Sequence, residues 1–288
     1  MTVYNLGSIN IDHVYRVPHL PAPGETLSAL AYAQGLGGKG ANQSVAAARA
    51  GARTVHIGAI GPNSDWVRDA MRGYGVDLAG VSLLEEPTGH AIINVDPGAE
   101  NAIVIYPGAN RAVTPAMVEA ALAEAGPVDT LLIQNETSAQ AEAAAAARAR
   151  GLRVVYSAAP FDIDAVKAAL PHASLLVMNE IEADQTRAAL GALPPLDCLI
   201  TRGAKGAEWI SAGAEPLFMP AFRVTPVDTT GAGDTFIGTL AAGLDLGLDR
   251  AAAMRLAMAA AAIQVTRPGA AQAIPDRAEV DTFLRAQG

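Results

Sequence analysis

Apolar and polar positions along the chain alternate between two textures. Short runs rich in Val, Ile and Leu, at 3–7, 54–59, 130–134, 153–157, 175–178, 198–201 and 207–211, read as strands. Alanine-rich amphipathic stretches at 41–50, 65–74, 115–125, 139–150, 162–169, 180–190, 234–246 and 250–266 read as helices. Strands separated by helices predict an α/β fold, a parallel sheet covered by helices. Thr114-Pro115 and Thr137-Ser138 look like helix starts, each placing a capping hydroxyl ahead of a helix former.

Two segments break this rhythm. Residues 13–34 and 90–106 alternate with period two and have no helix between their strands, so they predict extra antiparallel strands in a small sheet standing off the main body. Pro21, Pro23 and Gly24 mark a turn in the first. Such a sheet serves as a lid, an edge extension or a dimer contact. With no linker and no repeat, residues 1–288 are expected to form one domain.

Composition narrows the partners. A hydrophobic content of 51% supports a sizeable core, and a net charge of −9 argues against nucleic acid or an anionic membrane surface, both of which need basic patches. Cys198 is the only cysteine, so neither a disulfide framework nor a cysteine-based zinc site is expected. Asn5, Asn10 and Asp12 interrupt the early apolar positions where a signal peptide would need an unbroken run. A soluble, cytoplasmic protein is the expectation. Only three lysines stand among the charges, Lys39, Lys167 and Lys205, against seventeen arginines. Lys39 lies between Gly38 and Gly40, and Lys205 precedes Gly206. A compact ammonium in a glycine loop suits a phosphate or hydroxyl ligand, and a surface turn explains Lys205 equally well.

The strongest local signal runs from Asp228 through Thr229, Thr230, Gly231, Ala232, Gly233 and Asp234, just ahead of a helix. Glycines at 231 and 233 let the backbone approach a ligand, and the amides of 231–234 would form an anion hole at the helix start. A carboxylate would repel an anion, so Asp234 makes sense as the base that accepts a proton from an attacking hydroxyl. An ordinary helix-capping Asp is the alternative.

The second signal is Gly35-Leu36-Gly37-Gly38-Lys39-Gly40-Ala41-Asn42. It matches GxGxxG, but it does not follow the first strand directly, and no acid lies in 54–60 where a dinucleotide-binding fold places one. Walker A fails too, because Gly40 follows Lys39. What remains is a loop offering amides, an ammonium and the Asn42 carboxamide to a polyhydroxylated ligand. Asn10 and Asp12, two apart after the first strand, suit adjacent sugar hydroxyls, though an Asx-rich turn would look the same. Glu136 follows the 130–134 strand, where α/β folds bind ligands. Asn179, Glu180 and Glu182 could serve a hydrated Mg²⁺ and phosphates, or favour a helix dipole. Thr201, Gly203 and Gly206 border a turn fit for a nucleotide.

Taken together, Gly7-Ser8-Ile9-Asn10-Ile11-Asp12, Gly37-Gly38-Lys39-Gly40-Ala41-Asn42-Gln43 and 228–236, in that order, resemble the ribokinase and phosphofructokinase-B family of carbohydrate kinases nearly end to end. The resemblance implies a three-layer α/β/α domain with a small β lid that often makes a homodimer contact. It implies ATP with Mg²⁺ as phosphoryl donor and a sugar acceptor, D-ribose before another sugar or a nucleoside. It makes Asp234 the base and Gly231, Ala232 and Gly233 the anion hole. Asn10, Asp12, Gly38, Lys39, Asn42 and Glu136 would hold the sugar. Asn179 and Glu182 would serve Mg²⁺ and phosphate, while Thr201, Gly203 and Gly206 border the nucleotide. A K⁺ held mainly by backbone carbonyls would fall near Asp228, Thr230, Arg267 and Gly269. The chain departs from the family at Ala273, where a hydroxyl is expected beside the cation. It also has Ser157-Ala158-Ala159-Pro160 for Asn-Pro-Ala-Pro, and Met258 for a histidine near the adenine. An NAD-dependent oxidoreductase and a silent sugar-binding protein are the competing classes.

Overall fold

The computed structural model describes residues 1–98 and 100–287; position 99, within the predicted segment 90–106, and position 288 lie outside the described residues. In chain order the strands are β1 (Thr2–Leu6), β2 (Asn10–Arg16), β3 (Ala31–Gly37), β4 (Arg53–Ile60), β5 (Asp77–Leu83), β6 (Gly89–Val95), β7 (Asn101–Tyr106), β8 (Thr130–Gln134), β9 (Arg153–Ser157), β10 (Leu175–Asn179), β11 (Asp197–Thr201), β12 (Ala207–Ile210) and β13 (Leu217–Met219). The helices are α1 (Lys39–Arg49), α2 (Asp65–Gly73), α3 (Pro115–Ala121), α4 (Gln140–Ala149), α5 (Ile163–Ala169), α6 (Glu180–Leu190), α7 (Ala232–Asp245), α8 (Arg250–Gln264) and α9 (Arg277–Ala286).

A nine-stranded sheet runs β13-β12-β11-β10-β9-β8-β1-β4-β5. From β5 to β11 every pairing is parallel, and β12 and β13 add antiparallel at one edge. Successive residues of each strand feed opposite cores. Tyr4, Leu6, Leu131 and Ile133 pack with α3, α4 and α5, whereas Val3, Leu132, Val155 and Leu199 pack with α1, α7 and α8. Both faces are covered, which makes the three layers and explains why the strands read as apolar runs.

Three elements escaped the sequence pattern. β5 carries Gly80 at its centre, a poor strand former, yet a Cβ there would stand 2.7 Å from the His56 carbonyl, so only glycine fits. β13 is three residues long, and α9 buries only Val280. Thr114 caps α3 as expected, accepting from the Met117 amide at 3.3 Å. The expected cap at Thr137-Ser138 is wrong. Ala139 heads α4 with φ 58°, and the Ser138 hydroxyl instead donates to the Val113 carbonyl at 2.7 Å.

The second sheet has four strands in the order β3-β2-β6-β7. Its outer pairs are antiparallel as expected, but β2 and β6, which join the two halves, are parallel. The reason is geometric. β2 follows β1 and β6 follows β5, so both leave the ends of strands that point the same way. Along β7 every residue is exposed, including Ile103 at 51%, Val104 at 69% and Ile105 at 57%.

Candidate active site

The site grows from a contact between two glycines. A Cβ on Gly7 would lie 2.4 Å from the Gly40 Cα, so the end of β1 meets the start of α1 with no side chain between. Gly38, at φ 92°, turns the chain into that helix. Ser8 then ties the junction. Its carbonyl accepts from the Ala41 amide at 2.8 Å, its hydroxyl accepts from the Gly40 amide at 3.2 Å, and it donates to Glu136 at 2.5 Å. Glu136 also accepts from the Lys39 amide at 3.1 Å.

Asn10 and Asp12 rise from the same junction along β2, in a strand and not in an Asx turn. The Asp12 carboxylate lies over Gly37, where a Cβ would approach it to 2.1 Å. Burial, helped by the nearby Glu136, pushes the Asp12 carboxyl up to about 6. Asn10 accepts at Oδ1 from Asn110 Nδ2 at 2.8 Å, and Asn110 Oδ1 accepts from the Ile9 amide at 2.9 Å. Lys39 sits among carboxylates. Asp234 is the largest influence raising its pKa, opposed by burial and reinforced by Glu136 and Glu182.

Asp234 faces this group from the first turn of α7. Gly231, at φ 75°, caps that helix, which removes the reading of Asp234 as an ordinary cap. Its side chain reaches α1 instead. Oδ2 accepts from Asn42 Nδ2 at 3.1 Å and Oδ1 from Gln43 Nε2 at 2.9 Å. This reach depends on Gly238, one turn on, because a Cβ there would come within 2.2 Å of the Gln43 carbonyl and force α7 away from α1.

Behind Gln43 runs a buried polar chain. Gln134 Nε2 donates to Gln43 Oε1 and to Asn5 Oδ1, each at 2.8 Å. Asn5 Nδ2 donates to the Gly40 carbonyl and to Ser44 Oγ, each at 2.8 Å. Ser44 Oγ lies 2.7 Å from His56 Nδ1, and His56 Nε2 lies 3.0 Å from the Gly7 carbonyl. That carbonyl can only accept, so Nε2 carries the ring proton and Ser44 donates to Nδ1. Burial pulls the His56 imidazole down to about 4, which keeps it neutral. Every amide in the chain is thereby oriented, and Gln43 must turn its NH₂ toward Asp234.

Beside Asp234 in the chain, Ala232 and Gly233 line a cavity of about 420 Å³, together with Thr201, Gly203, Gly206, Phe222 and Met258 among others. The three predicted nucleotide residues therefore border one space with Ala232 and Gly233 of the predicted anion hole. The Ala232 amide already reaches the Thr229 carbonyl at 3.2 Å, so the donors left in the first turn are the amides of Gly233 and Asp234. Asn179 and Glu182 form a reciprocal cap on α6, each bond 2.8 Å, and burial raises the Glu182 carboxyl. Glu180 turns away to Arg202 at 2.9 Å and Lys205 at 3.4 Å.

The residues expected around K⁺ do not fit that ion. Asp228 spends both carboxylate oxygens on the amides of Thr230 and Gly269, each at 2.9 Å. Gln264 Nε2 donates to the Thr230 carbonyl at 2.6 Å and the Gly269 carbonyl at 3.1 Å, standing where the cation was expected. The Arg267 side chain leaves the loop to pair with Glu279 at 2.5 Å, and position 273 is a buried alanine.

The model of the pfkB family carbohydrate kinases matches residues 2–277. The chain belongs to the pfkB family of carbohydrate kinases. A ribokinase of Haemophilus influenzae is 38% identical over 302 aligned residues, covering 98% of each chain. Among solved structures, this kinase is similar to a ribokinase of Thermotoga maritima, with TM-score 0.88, 31% identity and 99% of each chain covered. It is also similar to an Arabidopsis thaliana ribokinase complexed with ribose and ATP, with TM-score 0.87, 30% identity and 98% of each chain covered.

Several residues of the kinase site carried no assignment from sequence: Ser8 and Gln43 lay inside recognised motifs without a role, and Asn110 lay in no motif. Asn5, His56 and Gln134 did leave a signal. Asn5 and His56 interrupt apolar strands and Gln134 closes one; β1, β4 and β8 are neighbours in the sheet, with Asn5 directly opposite His56. Three polar residues in adjoining buried strands must find partners, and here they find one another.

Proposed function

We propose that this kinase transfers the γ-phosphoryl group of MgATP to the primary hydroxyl of D-ribose. One observation carries the reading: the Asp234 carboxylate, held by Asn42 and Gln43, acts on Lys39 beside Glu136, and Gly233, its neighbour in the chain, lines the cavity that Met258 also borders. Asn10, Asp12, Asn42 and Glu136 offer oxygen and nitrogen partners to vicinal hydroxyls, and Gly38, where a Cβ would stand 2.9 Å from the Ser8 carbonyl, lets the loop close against Ser8 and Asn10. The acceptor hydroxyl gives its proton to Asp234 as its oxygen bonds to the γ-phosphorus and the bond to the β-phosphate oxygen breaks. The amides of Gly233 and Asp234, at a helix N-terminus, stabilise the charge on the transferring group. Lys39 adds a positive charge on the sugar side. Glu182 retains one carboxylate oxygen outside its capping bond, a hard oxygen that would hold an Mg²⁺ brought with ATP, directly or through water, where the ion would offset phosphate charge.

The small sheet reads as the lid over the sugar, and its exposed Ile103, Val104, Ile105 and Tyr32 suit a homodimer contact through that lid. Cys198 is buried and unpaired, in keeping with a cytoplasmic enzyme. The test is a sugar panel with MgATP, following ADP release and locating the phosphate by phosphorus NMR. D-Ribose should give the highest kcat/KM, with product phosphorylated at the primary hydroxyl. Preference for deoxyribose, fructose or a nucleoside would replace the substrate, and ADP release with none of them would remove the kinase reading.

A further inference from the structure

Gln264 ends α8 fully buried, and its side chain makes an unusual choice of partners. The Nε2 group donates to two main-chain carbonyls, Thr230 at 2.6 Å and Gly269 at 3.1 Å. Its Oε1, equally buried, has no hydrogen-bond partner among the described residues. The assignment of nitrogen and oxygen is forced by these neighbours. A flipped amide would press its oxygen against two carbonyl oxygens, three acceptors with no proton between them. The NH₂ group, with two protons diverging from one nitrogen, is the part of the side chain that can satisfy both carbonyls.

These carbonyls belong to two loops that must be held together. Thr230 immediately precedes Gly231, the cap of α7, so its position sets where the Gly233 and Asp234 amides point. Gly269 lies in the loop that follows α8. Asp228 ties the same loops from the other side through the Thr230 and Gly269 amides, and the Val265 carbonyl accepts from the amides of Val227 and Asp228 at 2.7 and 3.1 Å. Converging carbonyls beside a carboxylate create a negative potential that a monovalent cation would relieve. Here a neutral donor relieves it, and the hydroxyl that would complete a cation's shell is missing at Ala273.

We propose that Gln264 is a built-in substitute for a monovalent cation, clamping the Thr230 and Gly269 carbonyls so that the anion-hole loop is ordered without K⁺. This rests on the reading of 231–234 as the anion hole of a kinase. It makes the enzyme indifferent to K⁺, and it makes that indifference the property of one side chain. Truncating the side chain to Gln264→Ala opens the space between the carbonyls and should convert the protein into a K⁺-responsive one. Adding Ala273→Ser restores a hydroxyl and should strengthen the response.

The experiment compares KCl with tetramethylammonium chloride at equal ionic strength, reading both turnover of MgATP with ribose and the thermal midpoint. The unaltered enzyme should change its rate by less than about twofold between the salts, with no shift in midpoint. Gln264→Ala should lose about tenfold or more in tetramethylammonium and recover most of it in K⁺, with a K⁺-dependent rise in midpoint. More than about tenfold activation of the unaltered enzyme by K⁺ would overturn the proposal without any variant. So would a Gln264→Ala protein as active in tetramethylammonium as its parent. Failure of the kinase reading looks different: the unaltered protein would release no ADP in either salt, and the midpoints would still report whether Gln264 or an ion joins the loops.

Discussion

The two sides of the cleft are built from different materials. On the sugar side, Asp12, Lys39, Glu136 and Asn42 bring charges and carboxamides into a half-buried space, where burial with the nearby Glu136 raises the Asp12 carboxyl and the surrounding carboxylates, Asp234 foremost, raise the Lys39 ammonium. On the nucleotide side, Thr201, Gly203, Gly206, Phe222 and Met258 offer backbone, glycine and apolar wall, with Arg223 as the charged member of the lining, while the nearby Arg202 is paired with Glu180 and Glu208. Directional partners fix hydroxyl positions and punish small errors, whereas a shaped apolar wall tolerates exchange. Asp234 joins them, bonded to Asn42 and Gln43 and next in the chain to Gly233 of the cavity wall. Substitutions should therefore cost most at the meeting point, less on the sugar side, and least on the nucleotide side.

The largest effect is expected for Asp234→Asn. Its kcat should fall about 10³-fold while ribose affinity, by calorimetry, stays within about threefold, because an amide fills the same space but cannot accept the proton. Asp12→Asn comes next, with ribose affinity weakened about 10- to 100-fold, the range for losing a hydrogen bond to a charged group. The same change should stabilise the sugar-free protein at pH 8. Asp12 has a folded-state pKa raised to about 6, so the native state binds its proton more tightly than the unfolded chain, and stability from this group is lost as pH rises through that value. For the unaltered enzyme this predicts ribose affinity declining as pH falls below about 6, since the carboxylate is the better acceptor for hydroxyls.

Smaller effects test whether the buried amides matter. Gln134→Leu touches neither ligand nor Asp234, yet it frees the Gln43 amide to turn. Its kcat should fall about tenfold with ribose KM nearly unchanged, the signature of a disturbed base. An equal rise in KM would instead place the effect in sugar binding. Met258→Leu, a volume-conserving change in the nucleotide wall, should alter the KM for ATP by less than about threefold.

What the sequence disclosed follows the same division. Strands buried on both faces announced themselves as apolar runs, and β8 and β9 begin and end where the pattern put them. Asp234, Lys39 and Asn42 were legible because glycine loops beside charges are rare and come in a fixed order. Gln43 was not, since a glutamine at a helix start looks like polar filler until the fold brings its partner. Gln264 closes an alanine-rich helix, with nothing local to separate it from a surface residue. The parallel join of β2 and β6 depends on which way β1 and β5 leave the sheet, which no local alternation records.

A structure of the protein with ribose and a non-hydrolysable ATP analogue would decide whether the cleft works as described. The primary hydroxyl should lie about 2.6–3.2 Å from an Asp234 carboxylate oxygen, with the γ-phosphate beyond it against the Gly233 and Asp234 amides. A sugar lodged elsewhere, or an Asp234 turned from both ligands while the complex turns over in solution, would contradict it.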